Sequence, residues 1–177
     1  FHDEQGNEIK KFSTSDENNK LKIKEGGNLF VWDYKYPGAE KFDGMIMWSA
    51  SLNGAKAVPG KYQVRLSVNN FLSQSSFEIL KSPNSESSVN EMREQFNFVN
   101  QINKTISKAH QSIKKIRKTK LKLTEFLTTF SDNKDAKSII EKANFLIDSL
   151  SKVENMLYQT KNESRQDPLN FPIKLTN

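Results

Sequence analysis

The chain has 177 residues, enough for one domain or two small ones, and its 35% hydrophobic content and mean hydropathy of −0.72 favour thin modules over one thick globule. It has no cysteine, which excludes disulfides, thiol catalysis and cysteine-based zinc sites, and it has no apolar run long enough to span a bilayer. The formal net charge of +6 belongs to the second half of the chain, because residues 1–80 carry ten basic and ten acidic side chains.

The first half of the chain alternates apolar and polar residues with period two, the pattern of half-buried antiparallel strands. In residues 29–34 the aromatic side chains fall on one face and Asp33 falls on the other. In residues 44–50 Ile46 and Trp48 share a face. Each of these two segments is therefore predicted to be a strand.

A β-hairpin is predicted between residues 60 and 79. Residues 61–68 alternate strictly, and Asn69-Asn70 tolerate the positive φ angles of a two-residue hairpin turn. The resulting register places Val68 opposite Phe71 and Tyr62 opposite Phe77. With a further turn at residues 4–7, about six short strands are expected, which implies a small antiparallel β-sandwich over residues 1–81.

The second half of the chain has helical periodicity. Apolar residues recur at steps of three and four from Val89 to Phe130 with no Pro or Gly between them, which predicts a helix about 65 Å long. Ser87 or Ser88 can cap its start, with Glu91 in the first turn. The apolar stripe comprises Met92, Phe96, Val99, Ile102, Ile106, Ala109, Ile113, Ile116, Leu123, Leu127 and Phe130.

A second apolar stripe follows a turn at residues 131–136, so a long antiparallel helical hairpin, part of a bundle, is predicted over residues 89–161. Residues 82–88 are a predicted linker. Residues 162–177 are a C-terminal extension in which Pro172 is expected to open a further helix that the sequence truncates. Because a hairpin buries one side of each stripe, we expect the chain to self-associate through its helices or to pack them against its own sandwich. The second stripe comprises Ile139, Ala143, Leu146, Leu150, Val153 and Leu157.

Six aromatic residues crowd residues 28–51, and they favour one of two structures. The first is the core of the small sheet, for which Trp32 and Trp48 are the central residues. The second is a carbohydrate-binding face on which Tyr34 and Tyr36, with Trp48, stack against sugar rings. Asp33 and Asp43 could form a glycosidase pair, but nothing else indicates a sugar cleft. We therefore expect no catalytic residue here.

The strongest electrostatic feature is the segment KAHQSIKKIRKTKLK at residues 108–122, in a stretch without acidic residues from Glu94 to Glu125. It is either a solvated helix flank, a face for an acidic protein, or a site for nucleic acid or anionic membrane. No aromatics interleave with the charges, so only weak, non-specific nucleic-acid binding is expected. The two histidines, His2 and His110, lack a second ligand at metal-site spacing, and no metal or cofactor is expected. The candidate binding residues here are Lys114, Lys115, Arg117 and Lys118.

Three motifs carry a family resemblance over nearly the whole chain. Together they resemble the C-terminal region of large bacterial proteins with sortilin-type or BNR-repeat β-propellers, which are labelled glycosyl hydrolases. The motif N-x-x-x-W-D matches at Asn28, Trp32 and Asp33; F-x-G-M-I-x-W at Phe42, Gly44, Met45, Ile46 and Trp48; and P-G-x-Y-x-V-x-L at Pro59, Gly60, Tyr62, Val64 and Leu66.

The resemblance implies an immunoglobulin-like sandwich over residues 1–81 followed by a helical segment, an α+β multidomain fold. It also implies a protein that is extracellular, periplasmic or associated with the outer membrane, and a propeller, outside this chain, that holds any hydrolase activity. The expected function is a non-catalytic accessory and interaction module. Its partner would be the parent propeller domain or a second copy bound through the helices. The alternative is a carbohydrate-binding module that anchors the parent protein to polysaccharide.

Overall fold

The computed structural model describes residues 1–47, 51–172 and 174–175 and has an α+β fold. Three strands precede two helices in the chain: β1 (His2–Asp3), β2 (Gly60–Val68), β3 (Phe71–Ile79), α1 (Val89–Phe130) and α2 (Lys137–Leu157). Short 3₁₀ turns lie at Lys134–Ala136 and Asp167–Leu169.

The chain divides into two compact units, each made of two separate stretches of sequence. The first unit combines Phe1–Gly38 with Asn53–Ile102, and the second combines Ala39–Leu52 with Asn103–Asn177. This partition differs from the sequence-based boundaries at residues 81, 88 and 161, because residues 39–52 belong with the later part of the chain. The first turns of α1 belong to the first unit, and the rest of α1 belongs to the second.

The sheet of the first unit is antiparallel, with strand order β1-β2-β3. The predicted hairpin register is confirmed, since Val68 pairs with Phe71 and Tyr62 pairs with Phe77. Asn69 adopts a left-handed conformation with φ 50°, which a turn joining right-twisted strands requires. The hairpin was predictable because its alternation and its turn residues lie in one short, continuous segment.

The predicted sandwich is wrong for the described residues, which form a single three-stranded sheet. Residues 29–34 are not a strand, because Tyr34 takes a left-handed φ of 57° and the Asp33 carboxylate accepts a hydrogen bond from the Lys35 N–H, 3.2 Å away. Residues 44–47 are not a strand either, because Gly44 has φ 71° in a turn. Trp48, which completed the second predicted strand, lies outside the described residues.

The core of the first unit is an aromatic cluster around Trp32, which is 5% exposed. Phe1 stacks on the Trp32 ring with the two ring centres 4.5 Å apart, and the Trp32 Nε1–H donates to the Lys35 carbonyl at 3.3 Å. Ile9 and Tyr62 are buried beside it. The prediction that Trp32 is a core residue is therefore confirmed.

The start of α1 is closed by a capping box at Ser88, one of the two serines that the sequence offers as a cap. The Ser88 Oγ accepts a hydrogen bond from the Glu91 N–H at 3.2 Å, and the Glu91 carboxylate accepts one from the Ser88 N–H at 2.7 Å. These bonds to Ser88 hold the pKa of Glu91 below its usual value. α1 ends at Phe130, where the predicted stripe ends.

The core of the second unit joins three parts of the chain: Phe42 from residues 39–47, Ile113 from α1, and Tyr158 at the end of α2. The Tyr158 hydroxyl accepts a hydrogen bond from the Ile46 N–H at 2.8 Å. α1 and α2 are confirmed as helices, while their packing as a closed antiparallel hairpin stays a prediction. A further helix is expected at Pro172; there, Pro172, Lys174 and Leu175 are not helical, and residues 173, 176 and 177 lie outside the described residues.

A Gly54→Ala variant tests the close backbone approach in the first unit. A Cβ added at Gly54 would overlap the Tyr36 carbonyl and lie 2.7 Å from the Pro37 oxygen, and neither backbone atom can rotate away. We expect a loss of about 1–3 kcal/mol in the free energy of unfolding, measured by denaturant titration. Gly27→Ala is the matched control, because nothing lies within 4 Å of a Cβ there. Equal midpoints for the two variants would contradict the prediction.

Candidate functional site

The two tyrosines predicted as sugar-stacking residues have different environments in the first unit. Tyr34 is 53% exposed, and its ring centre lies 5.6 Å from that of Trp32. Tyr36 is partly buried, and its ring meets Phe96 in a T-shaped contact at 4.7 Å. Burial raises the pKa of Tyr36, whose hydroxyl also hydrogen-bonds Tyr62. Only Tyr34 is therefore available as an exposed ring, and the two tyrosines form no common stacking platform.

A groove of about 890 Å³ also lies within the first unit. Tyr34 forms part of its wall, and most of the lining comes from apolar side chains that include Phe77, Ile79, Met92 and Phe96. Its volume falls in the usual range for small-molecule sites, and its lining suits apolar groups. The groove has no signature in the sequence, because its walls come from segments far apart in the chain.

The four basic candidates on α1 belong to the second unit, where two of them form ion pairs and two remain exposed. Lys114 forms an ion pair with Glu40 at 2.5 Å, and Gln111 donates to the other Glu40 oxygen at 2.7 Å. The hydrogen bond from Lys114, followed by that from Gln111, lowers the pKa of the Glu40 carboxyl. The Glu40 carbonyl also accepts a hydrogen bond from Nδ1 of the fully buried His110. Lys114 is therefore occupied by a contact within the protein.

Arg117 is likewise occupied within the second unit. Its Nε–H donates to Glu154 at 2.7 Å, its Nη1 donates to the Asp43 carbonyl at 2.9 Å, and its guanidinium lies 4.8 Å from the centre of the Phe42 ring. Lys120 reaches the other Glu154 oxygen at 3.2 Å. Glu154 is only 4% exposed, and a buried carboxylate is tolerated only when it is paired in this way.

Lys115 and Lys118 remain exposed, and other exposed lysines extend the same face of α1. Positions on this face recur at steps of three, four or seven residues, which keeps them on one side of a helix. We call this set the lysine stripe: Lys104, Lys108, Lys115, Lys118 and Lys122. Paired and unpaired cations look alike in the sequence, because the counterions Glu40 and Glu154 are more than thirty residues away along the chain.

The two aspartates considered as a glycosidase pair each support local structure. Asp33 accepts the Lys35 N–H in a turn of the first unit, and the Asp43 carbonyl accepts Arg117 in the second. Among the described residues, no group of three or more His, Cys, Asp or Glu side chains is placed to hold a metal ion. Within the same residues, no helix is both long and apolar enough to cross a membrane.

Comparison with protein-family models, curated proteins and solved structures finds no match to this chain. The resemblance to propeller-associated modules therefore stays a hypothesis.

An Arg117→Met variant tests whether Arg117 is structural. The change leaves the buried Glu154 with Lys120 as its remaining partner. We therefore expect a loss of about 2 kcal/mol in the free energy of unfolding. This is less than the ~3–5 kcal/mol that a fully unpaired buried charge costs. Lys118→Met is the matched control on the exposed face and should change stability by less than about 0.5 kcal/mol. If denaturant titration gave the two variants the same stability, Arg117 would have no structural role and would be a surface cation like the exposed lysines.

A Glu40→Gln variant tests the pH dependence of the contact with Lys114. The pKa of Glu40 is lowered from an ordinary value of 4.5 by Lys114 and Gln111, so the carboxylate stabilises the folded state above its unfolded pKa. This contribution is lost as the pH falls through the lower, folded pKa. We expect the difference in Tm between the native chain and the variant to be largest near neutral pH and to disappear in strong acid. A difference that stayed constant throughout an acid titration would contradict this assignment.

Proposed function

We propose that this chain is a non-catalytic accessory and interaction module of an exported bacterial β-propeller protein, and that it binds a second copy of itself through α2. Its place would be outside the cell, in the periplasm or on the outer membrane. The observation that carries the interaction is an exposed apolar strip on α2. In this proposal the first unit is a spacer, and any hydrolase chemistry belongs to the propeller.

α2 has one flank that packs and one that does not. Ala143 and Glu154 are buried, and Leu150 and Leu157 are partly buried, which defines the inward flank. On the other flank Phe145 and Met156 are each 74% exposed. We call the unpacked flank the α2 apolar strip, and its members are Ile139, Phe145, Leu146, Val153 and Met156.

The α2 apolar strip is long, although the exposed Lys142 and the partly buried Ser149 fall among its members on the helix surface. Its members extend from residue 139 to residue 156, about 26 Å along the helix. Monomeric soluble proteins rarely leave so many large apolar side chains together in water, and such patches mark contact surfaces. Burial of a Phe or Met side chain contributes about 1.5–3 kcal/mol each, which gives association a sufficient driving force.

The spacing within the strip favours a second helix as the occupant. Ile139, Leu146 and Val153 repeat every seven residues, which is the spacing of a coiled-coil seam, and Phe145 and Met156 widen it on one side. A two-fold pairing of the same strip from two copies is self-complementary and closes without leaving a free face. It would place four helices together in the bundle that the sequence pattern predicts.

The residues that carry the family resemblance support a scaffold role for the rest of the chain. Trp32, Phe42 and Tyr62 are buried, and the Asn28 side chain closes a turn by bonding the Lys24 N–H and carbonyl, each at 2.9 Å. The motifs are thus used for folding within each unit. A module whose signature residues build cores and turns suits a spacer better than a catalytic domain.

Carbohydrate binding is the second candidate, and one observation favours it. Tyr34 exposes about half of its ring and forms part of the groove wall in the first unit, so a sugar could stack there. Tyr36 cannot join it, since its ring packs against Phe96. A single exposed ring gives a weaker site than the platform the sequence suggested, so this function ranks second.

A double variant, Phe145→Lys with Met156→Lys, tests the α2 apolar strip. Two charges in the strip should abolish pairing, because neither ammonium could keep its hydration in a closed apolar interface. We expect the native chain to sediment as a dimer at micromolar concentration and the double variant as a folded monomer.

Leu29→Lys with Leu80→Lys is the matched control, since both leucines are exposed in the first unit. The control should remain dimeric. A native chain that sediments as a monomer at every concentration, or a double variant that still dimerises, would refute the proposal.

A further inference from the structure

The lysine stripe is a narrow row of positive charge on the second unit's part of α1. Its five lysines extend over eighteen residues, about 27 Å along the helix, and at 3.6 residues per turn they fall within a sector of about 80°. Gln111 is the one other residue of this sector between Lys104 and Lys122. Ile113 and Ile116 are buried on the opposite side of the helix.

No described acidic residue forms an ion pair with a lysine of the stripe, although the Glu40 carboxylate accepts a hydrogen bond from Gln111 in the same sector at 2.7 Å. The ion pairs of α1 in the described residues are made by Lys114, Arg117 and Lys120, which lie outside the stripe. Lysines three or four residues apart on a helix repel one another and destabilise it by about 0.2–0.5 kcal/mol per pair. A row of this kind weakens the free protein, and an anionic ligand along the row would offset the repulsion.

α2 shows that solubility alone does not require such a row. Its charged residues alternate in sign along the helix, from Lys137 through Glu141, Lys142 and Asp148 to Lys152. A solvated helix face ordinarily mixes signs in this way. The segment of α1 between Glu94 and Glu125 departs from that pattern, with no acidic residue at all. The departure indicates a ligand of opposite charge.

The composition of the stripe identifies the kind of polyanion. Its sector holds no aliphatic side chain to insert into a membrane and no aromatic ring on which a nucleic-acid base could stack. Its charged side chains are all lysines, which carry a point charge and lack the bidentate fork that arginine uses to recognise phosphate. A row one side chain wide, on a convex helix, matches a linear polymer whose single negative charges repeat along its length.

We propose that the lysine stripe binds an acidic polysaccharide, whose carboxylate or sulfate groups lie along α1 and pair with successive lysines. The interaction is electrostatic and non-covalent, and it tolerates variation in the sugar. It is independent of the pairing through α2, because the two surfaces use different helices and different residues. Binding therefore weakens steeply as added salt screens the charges.

The test measures binding of polygalacturonate to the full chain by titration calorimetry at low and at physiological salt. The stripe variant changes all five stripe lysines to glutamine, which has a similar helix propensity. The control variant changes Lys11, Lys22, Lys24, Lys61 and Lys81, exposed lysines of the first unit, to glutamine. Both variants lower the net charge by the same amount, so position is the one difference between them.

We expect the stripe variant to bind polygalacturonate at least about tenfold more weakly than the native chain, equivalent to ~1.4 kcal/mol, and the control variant to lose less than about twofold. Neutral dextran should not bind. Equal losses in both variants would show that only net charge matters and would overturn the proposal. So would tighter binding of duplex DNA or of phosphatidylserine vesicles than of polygalacturonate to the native chain. Circular dichroism of each variant verifies that α1 is intact.

Discussion

The buried carboxylate of Glu154 is the constraint on which the second unit depends. A charged group this far from water is stable only with cations beside it, and Arg117 and Lys120 supply two. They lie about one turn apart on α1, so a shared counterion fixes the rotation of α1 about its own axis. Arg117 extends the constraint to residues 39–47 through the Asp43 carbonyl and the Phe42 ring.

That rotation decides which side chains of α1 face the core of the second unit and which face solvent. With Ile113, Ile116 and Arg117 held inward, every member of the lysine stripe is directed to solvent. Glu40 adds a second anchor through Lys114 and Gln111. Of the eight basic residues between Glu94 and Glu125, three form ion pairs within the unit, and the five lysines of the stripe form none with a described residue. α2 divides in the same way, with Glu154 on its packed flank and the apolar strip on the other.

The first unit has a different basis of stability. A sheet of three strands, one of them only two residues long, is too small to form a core by itself, and the aromatic side chains from residues 1–36 supply the missing apolar area. Phe1, Trp32 and Phe77 meet through ring contacts, and Tyr62 joins the cluster from β2. The density of aromatic residues in this part of the sequence follows from that need.

The sequence by itself determined the features that depend on neighbouring residues: the bounds of α1 and a serine cap at its start, the position of α2, the register of the β2–β3 hairpin, and the burial of Trp32. It did not determine the strand count, because extended segments such as residues 29–34 alternate in burial without forming ladder hydrogen bonds, and Tyr34 ends the alternation. Only the tertiary structure decided that Lys114 and Arg117 form ion pairs within the protein while Lys115 and Lys118 stay exposed. Helical periodicity places a lysine on a face of its own helix, but whether that face meets a carboxylate depends on Glu40 and Glu154, which the fold brings from distant parts of the chain.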